Sequence, residues 1–307
     1  MRHIRRGVHV AIACVVFHAT DVRGQANVPQ FRGDYGLLAG TLPPPGAALG
    51  FFYTNYRADQ VSGMNGMAFP NIQPVINVAA AAASFTFPQP ILGGHWAISA
   101  IVPWSTVVPE TVNLDTQANW AISDAYVQPI KLGWSLPDAD IVAGFGMFMP
   151  TGRYHAGALD NNGLGMWSYE GSAGTTVYLG PTRRGSISTL VSYQAQSRIE
   201  DTDKRPGRLL TLEGGAGYSI LKEVGQIGLV YYAQWKVTDD EGFELPPAFD
   251  ARSRVFGLGP EVTVPFPLLP LSGVVTLRYY MEMGNRVAPE GDLLYVMFTM
   301  YWPGRKT

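Results

Sequence analysis

The sequence predicts an all-β protein: a transmembrane, up-and-down antiparallel β-barrel of about twelve strands, of the bacterial outer-membrane type. Three observations lead there. Segment after segment alternates apolar and polar side chains with a period of two over about 10–14 residues. That is the length of a tilted strand crossing a bilayer, and longer than the usual soluble strand. The connections alternate between long and short, as the outer loops and inner turns of such a barrel do. Finally, only 15% of the 307 residues are charged, beside 35 Gly, 15 Tyr, 14 Phe and 7 Trp. Yet no stretch reaches the roughly 20 apolar residues of a spanning helix. A soluble β-sandwich shares the composition but has no reason to alternate its loop lengths.

The chain opens with Arg2, Arg5 and Arg6, a short apolar run Val8–Ala19, and small residues in Gly24-Gln25-Ala26. This is the build of a secretory signal peptide over residues 1–26. Its removal takes away four arginines and Asp21, shifting the net charge from −2 to −5. Cys14, the single cysteine, leaves with it, as do His3, His9 and His18. The processed chain then has no thiol chemistry, and no basic tract for nucleic acid. Residues 27–45 do not read as a strand. Pro43, Pro44 and Pro45 cannot donate to a ladder and hold the backbone extended, so this is an N-terminal segment placed in the periplasm or the lumen.

The barrel is expected over residues 46–302, with 303–307 as a tail. Its segments are Gly46–Ala58, the Ala-rich Val75–Phe87, His95–Trp104, Asn119–Trp134, Ala139–Met149 and Met166–Leu179, followed by Gly185–Arg198, Leu209–Ile220, Gln226–Val237, Ser253–Val264, Gly273–Met283 and Asp292–Trp302. Gly185–Arg198 shows the alternation cleanly: Ser186, Ser188, Ser192, Gln194, Gln196 and Arg198 against Ile187, Thr189, Val191, Tyr193 and Ala195. The last segment sets Leu294, Val296, Phe298, Met300 and Trp302 against Leu293, Tyr295, Met297, Thr299 and Tyr301, and bears no charge after Asp292. Asp59–Pro74, Ser105–Ala118, Pro150–Gly165, Ile199–Arg208 and Thr238–Arg252 are the long connections. An even strand count leaves both ends on the periplasmic side.

A charge facing lipid at mid-membrane costs about 2–4 kcal/mol, so the charged faces turn inward. That places Asp124, Glu170, Arg198, Glu213, Lys236, Glu261, Arg278 and Glu282 on the lumen wall, with Tyr126, Tyr178, Tyr232 and Tyr280. Such groups form a transverse field that filters solutes, or pair and fill a narrow barrel. Polar and aromatic walls together suit apolar or aromatic solutes better than free ions.

Only His95 and His155 survive processing, so no His/Cys metal cluster is expected, and no cofactor. Neither a phosphate-binding glycine loop nor a G-x-S-x-G elbow is present. A lipase-type barrel needs a Ser beside a His. His95 and Ser99 are on one strand face but about 13 Å apart along it. The expectation is therefore a non-enzymatic barrel. A plugged structural or adhesive barrel is the alternative, and an outer-membrane lipase a weaker one.

Several short stretches stand out: Gly33-Asp34-Tyr35-Gly36, Leu42-Pro43-Pro44-Pro45-Gly46, Met149-Pro150-Thr151-Gly152-Arg153-Tyr154, Asn162-Gly163, Trp167-Ser168, Thr238-Asp239-Asp240-Glu241-Gly242 and Gly257-Leu258-Gly259-Pro260-Glu261. In these, over most of the processed chain, the sequence resembles the outer-membrane proteins named for the meta-pathway of phenol degradation. It departs from them in the Pro303-Gly304-Arg305-Lys306-Thr307 tail and in Glu241, where the family usually has a small residue. The resemblance implies a barrel that passes hydrophobic, often aromatic, compounds and has no defined catalytic residues. The expected partners are the lipid bilayer, a small hydrophobic or aromatic solute, and the outer-membrane assembly machinery. Pro43–Gly46 and Pro150–Tyr154 are the segments expected to shape passage into or out of the lumen.

Overall fold

A computed structural model describes residues 31–303 apart from 65–67, 70–72, 111–118, 157, 159–160, 222–224, 245–251 and 269–270. The expected signal peptide and residues 304–307 of the expected tail lie outside the described residues.

Twelve long strands follow one another: β1 (Gly46–Ser62), β2 (Gln73–Thr86), β3 (His95–Glu110), β4 (Ala125–Ser135), β5 (Ala139–Met149), β6 (Ser168–Leu179), β7 (Gly185–Gln196), β8 (Leu209–Leu221), β9 (Gly225–Lys236), β10 (Arg254–Leu268), β11 (Leu271–Glu282) and β12 (Ala288–Pro303). Each pairs antiparallel with its neighbours in sequence, and β12 returns to β1, with Gly46 opposite Pro303 and Ser62 opposite Ala288. The sheet closes on itself, which satisfies the ladder without leaving an open edge in lipid. Two-residue strands, Ala68–Phe69 and Ala121–Ile122, attach to β1 and β3 at the rim of long loops.

Most expected strands are present with shifted ends, and each larger shift has a local cause. The segment expected from Asn119 is broken at Ser123–Asp124. There the Asp124 carboxylate accepts the backbone N–H groups of Gly152 and Leu164, and the Thr151 hydroxyl accepts that of Ala125. β10 runs on through Pro265 and Pro267, which were expected in a turn. Past Thr263 it pairs with β11 alone, and an edge tolerates proline. The same hairpin skips pairing at Gly259–Pro260, where a ladder donor is missing.

The outward face is apolar along its length. Phe51 is 52% exposed, Ile187 52% and Leu229 58%. Side chains of this size standing free of other protein side chains are the lipid face of a barrel. The packed core is instead inside the barrel, because the segment from Phe31 to Pro45 runs through the lumen. Leu37, 1% exposed, belongs to a cluster with Tyr56, Val230, Tyr232, Val255, Tyr280 and Tyr295, and Ala39 to a second with Val142 and Leu190. Glycine makes the room: a methyl group added at Gly215, Gly217 or Gly228 would crowd the Leu37 side chain. A short 3-10 turn, Gly36–Leu38, sits at this point.

Candidate functional site: the occupied lumen

The N-terminal segment is held from both sides by strand side chains. Glu261 and Arg278, opposite one another on β10 and β11, form a buried pair with Arg278 Nε 2.6 Å from Glu261 Oε2. The same carboxylate accepts the Leu37 N–H at 3.3 Å, and Arg278 Nη1 donates to the Gly33 carbonyl. Tyr280 donates to that carbonyl as well, at 3.0 Å. Glu213 accepts the Tyr35 N–H at 3.4 Å. Nearer the short-turn rim, the Gly40 N–H and the Thr41 hydroxyl reach Thr176 Oγ1 at 3.2 and 3.0 Å.

Towards the long-loop rim, Glu282 organises a second cluster. It accepts the hydroxyls of Tyr56 at 2.8 Å and Tyr232 at 2.6 Å and the Asn285 amide at 2.9 Å, and it lies 3.5 Å from Arg32. The Tyr295 hydroxyl donates to the Arg32 carbonyl at 2.6 Å. Phe31 packs edge-on against Phe52 with ring centroids 5.6 Å apart, and at the same distance from Phe148.

Asp34 occupies the middle of the lumen. Lys131, Glu170, Glu213 and Arg278 act on it electrostatically, Glu170 against its ionised form and the two cations in favour of it. Burial, with Glu170 adding, pushes the Asp34 carboxyl up to about 7. Two cavities meet at this residue. One, of about 30 Å³, is lined by polar groups of β6–β9 together with Phe31, Tyr35, Tyr126 and Phe148. The other, of about 180 Å³, lies against β12, β1, β2 and β3, where Ala48, Gly50, Ala82, Ser84 and Ser99 keep the wall thin and Phe52, Met297 and Thr299 complete it.

The expected site residues separate into two groups. Glu170, Glu213, Glu261, Arg278, Glu282, Tyr126, Tyr232 and Tyr280 lie together in the lumen, but they engage the N-terminal segment and each other instead of spanning an open constriction. Tyr126 donates to Glu170 at 3.0 Å. Tyr178 donates to Asp140 at 2.6 Å. Three expected lumen charges are elsewhere. Arg198 is an exposed loop residue 3.6 Å from Asp203, because β7 ends at Gln196. Asp124 is spent at the rim on the loop that follows β5, where burial raises its carboxyl and the Leu164 and Gly152 N–H groups oppose the rise. Lys236 is buried at the same rim, with Nζ 2.8 Å from both carboxylate oxygens of Asp240, which also accepts the Gly207 N–H.

Parity reasoning missed Lys131. Counting in twos from Asp124, Tyr126 and Gln128 turns it outward, but the register of β4 against β5 shifts between Val127 and Ile130. A bulge turns every following residue to the other face, and Pro129 within the strand was its signal. The Lys131 ammonium lies 4.7 Å from the centre of the Tyr35 ring. Arg32, Asp34 and Tyr56 were also missed.

Pro150, Thr151, Gly152 and Tyr154 sit at the long-loop rim. Thr151 donates to the Ser123 carbonyl at 3.1 Å, Gly152 lies against Gly163, and the Tyr154 ring fills the space above Gly165. Pro43, Pro44, Pro45 and Gly46 sit at the opposite rim, where the Tyr301 hydroxyl donates to the carbonyls of Pro44 and Pro45 at 2.8 Å each. His95 Nδ1 is 3.1 Å from the Phe87 carbonyl at the short-turn rim, and His155 is exposed at the other, so the two do not share a site.

The family model described as putative MetA-pathway of phenol degradation matches residues 50–298, the barrel just described. The chain belongs to this family. The fold of this chain is also similar to that of the COG4313 outer membrane channel from Pseudomonas putida F1, with TM-score 0.74 and 13% identity over 90% of this chain and 100% of that one. The translocator domain of the autotransporter NalP from Neisseria meningitidis matches at TM-score 0.44 and 11% identity over 85% of this chain and 90% of that one. The transport unit of the autotransporter AIDA-I from Escherichia coli matches at 0.42 and 9%, over 84% and 90%. No curated protein matches. This phenol-degradation family member is a closed β-barrel of the bacterial outer membrane, with lipid against its outer face.

Proposed function

We propose that the barrel is a channel admitting small hydrophobic or aromatic molecules by passive diffusion, feeding aromatic degradation. The observation that carries this reading is the cavity of about 180 Å³ beside Asp34. An apolar cavity of about 150 Å³ holds one benzene-sized molecule and stays dry without it, so the space suits a single aromatic ring. Small side chains make up much of its wall, Phe51, Phe52, Ile101, Met297 and Tyr295 offer contact to a ring, and its polar groups are confined to Asp34, Ser84, Ser99, Thr299 and the Tyr295 hydroxyl. The family description and the similarity to a protein described as an outer membrane channel support the same reading. No step needs a cofactor. Delivery of the chain to the membrane by the outer-membrane assembly machinery belongs to this proposal.

The test is uptake of radiolabelled toluene at low concentration by cells lacking the gene and complemented with wild-type or cavity-filled protein. Ala82→Trp and Gly50→Trp close the cavity from two strands. Uptake by the filled variants is expected to fall to that of uncomplemented cells. Folded filled variants that take up toluene as fast as wild type would overturn the proposal and favour a plugged structural or adhesive barrel.

A further inference from the structure

The outer surface of the long-loop rim carries a row of arginines that the lumen does not use. Arg208 immediately precedes β8, Arg254 opens β10, and Arg286 stands in the hairpin between β11 and β12. Leu209 and Val255 are buried, so alternation turns Arg208 and Arg254 outward, and the bridge between Arg254 and Arg286 puts Arg286 on the same face as Arg254. Each of the first two rests on the aromatic belt of the lipid face. Arg208 Nη1 donates to the Tyr193 hydroxyl at 3.2 Å, and the Arg254 guanidinium is 5.8 Å from the centre of the Phe256 ring, itself edge-on to Trp235.

Arg254 and Arg286 are directly opposite each other and exchange both backbone hydrogen bonds, at 3.1 and 3.0 Å. Opposed residues of such a pair share a face with Cα atoms about 5.5 Å apart. Like charges so placed repel. Arg208, Arg254 and Arg286 take part in none of the ion pairs among the described residues, whereas nearby Arg252 already holds Asp239. The Arg286 Nε is buried and has no hydrogen-bond partner. Among the described residues, no anion partners this row.

We propose that Arg208, Arg254 and Arg286 bind the phosphate groups of the glycolipid of the outer leaflet. A guanidinium matches a phosphate with two parallel N–H donors, and a phosphate seated between Arg254 and Arg286 turns a repulsive pair into a bridged one. The height is right: long basic side chains at the end of an apolar belt reach the level of lipid head groups. The occupant is a lipid, because the row stands directly over the surface that acyl chains cover.

The experiment is native mass spectrometry of the full chain in detergent, titrated with bisphosphorylated lipid A, phosphate-free lipid A or phosphatidylglycerol. The wild type is expected to prefer the bisphosphorylated probe over both others. Arg208→Gln/Arg254→Gln/Arg286→Gln is expected to lose that preference, by about fivefold per arginine and roughly a hundredfold in all. Arg198→Gln/Lys204→Gln, in exposed loop positions off the row, keeps it. If the triple variant does not fold, the single Arg254→Gln reads the same loss at about fivefold. Equal binding of the three probes, or unchanged binding by the arginine variants, overturns the proposal.

Discussion

Replacing Gly36 with valine tests whether the N-terminal segment stays in the lumen by fit. Gly36 has φ +62°, in the left-handed region. A side chain there brings about 1–2 kcal/mol of backbone strain. Its Cβ would also overlap the Arg278 guanidinium and the Glu261 carboxylate, whose side chains are 3% and 5% exposed. Prising such a buried pair apart costs about 3–5 kcal/mol. If the segment stays docked, both costs fall on it, together about 4–7 kcal/mol. If it leaves, the barrel keeps its ion pair and bears neither. At 1.4 kcal/mol per factor of ten, the ratio of docked to undocked segment drops by about 10³–10⁵. Single-channel conductance in planar bilayers is expected to rise several-fold in Gly36→Val. It should be unchanged in Gly171→Val, whose added Cβ meets nothing within 4 Å. A folded Gly36→Val barrel, judged by heat-modifiable gel mobility, that conducts like wild type would refute the reasoning.

Three further outcomes follow from the same geometry. Asp34 is raised from 3.8 to about 7, mainly by burial, so the docked segment binds this proton more tightly than the free one. Docking is then strongest below the free value and weakens as pH rises through about 7; conductance should be higher at about pH 8 than at about pH 5, with the difference lost in Asp34→Asn. Asp240→Ala leaves Lys236 buried without its partner, which should cost about 3–5 kcal/mol of stability in urea titrations, while Lys236→Met/Asp240→Leu recovers most of it. Asp124→Ala removes the acceptor of the Gly152 and Leu164 N–H groups, so limited proteolysis should cut between residues 152 and 164 faster, with the barrel core intact.

The barrel was legible because period-two alternation and loop length are local properties. Glu213, Tyr232, Tyr280 and Glu282 could be turned inward by counting alone, since β8, β9 and β11 keep their parity across the membrane. Counting failed where the backbone breaks step. The shift at Val127–Ile130 reversed Lys131, and β7 ended before Arg198, where the Ser197 N–H turns to the Trp167 carbonyl. The N-terminal segment was recognisable as non-strand from Pro43–Pro45 and Gly36. Which of its two expected places it takes, periplasm or lumen, was not, because its partners are Glu261 and Arg278, more than 200 positions away, and no local pattern encodes such a match. The same holds for Leu37 and its glycine floor: nothing local to Gly215, Gly217 or Gly228 says that a side chain from the N-terminal segment lies against them.

The seam between β1 and β12 joins the two ends of the sheet, its first long strand and its last. A growing polypeptide therefore has no way to complete its hydrogen-bonded ladder until Ala288–Pro303 exists. Every shortened product is left with an unzipped margin, and each such margin is a site for misassociation. Birth order and geometry thus make Ala288–Pro303 a checkpoint on the eleven strands before it.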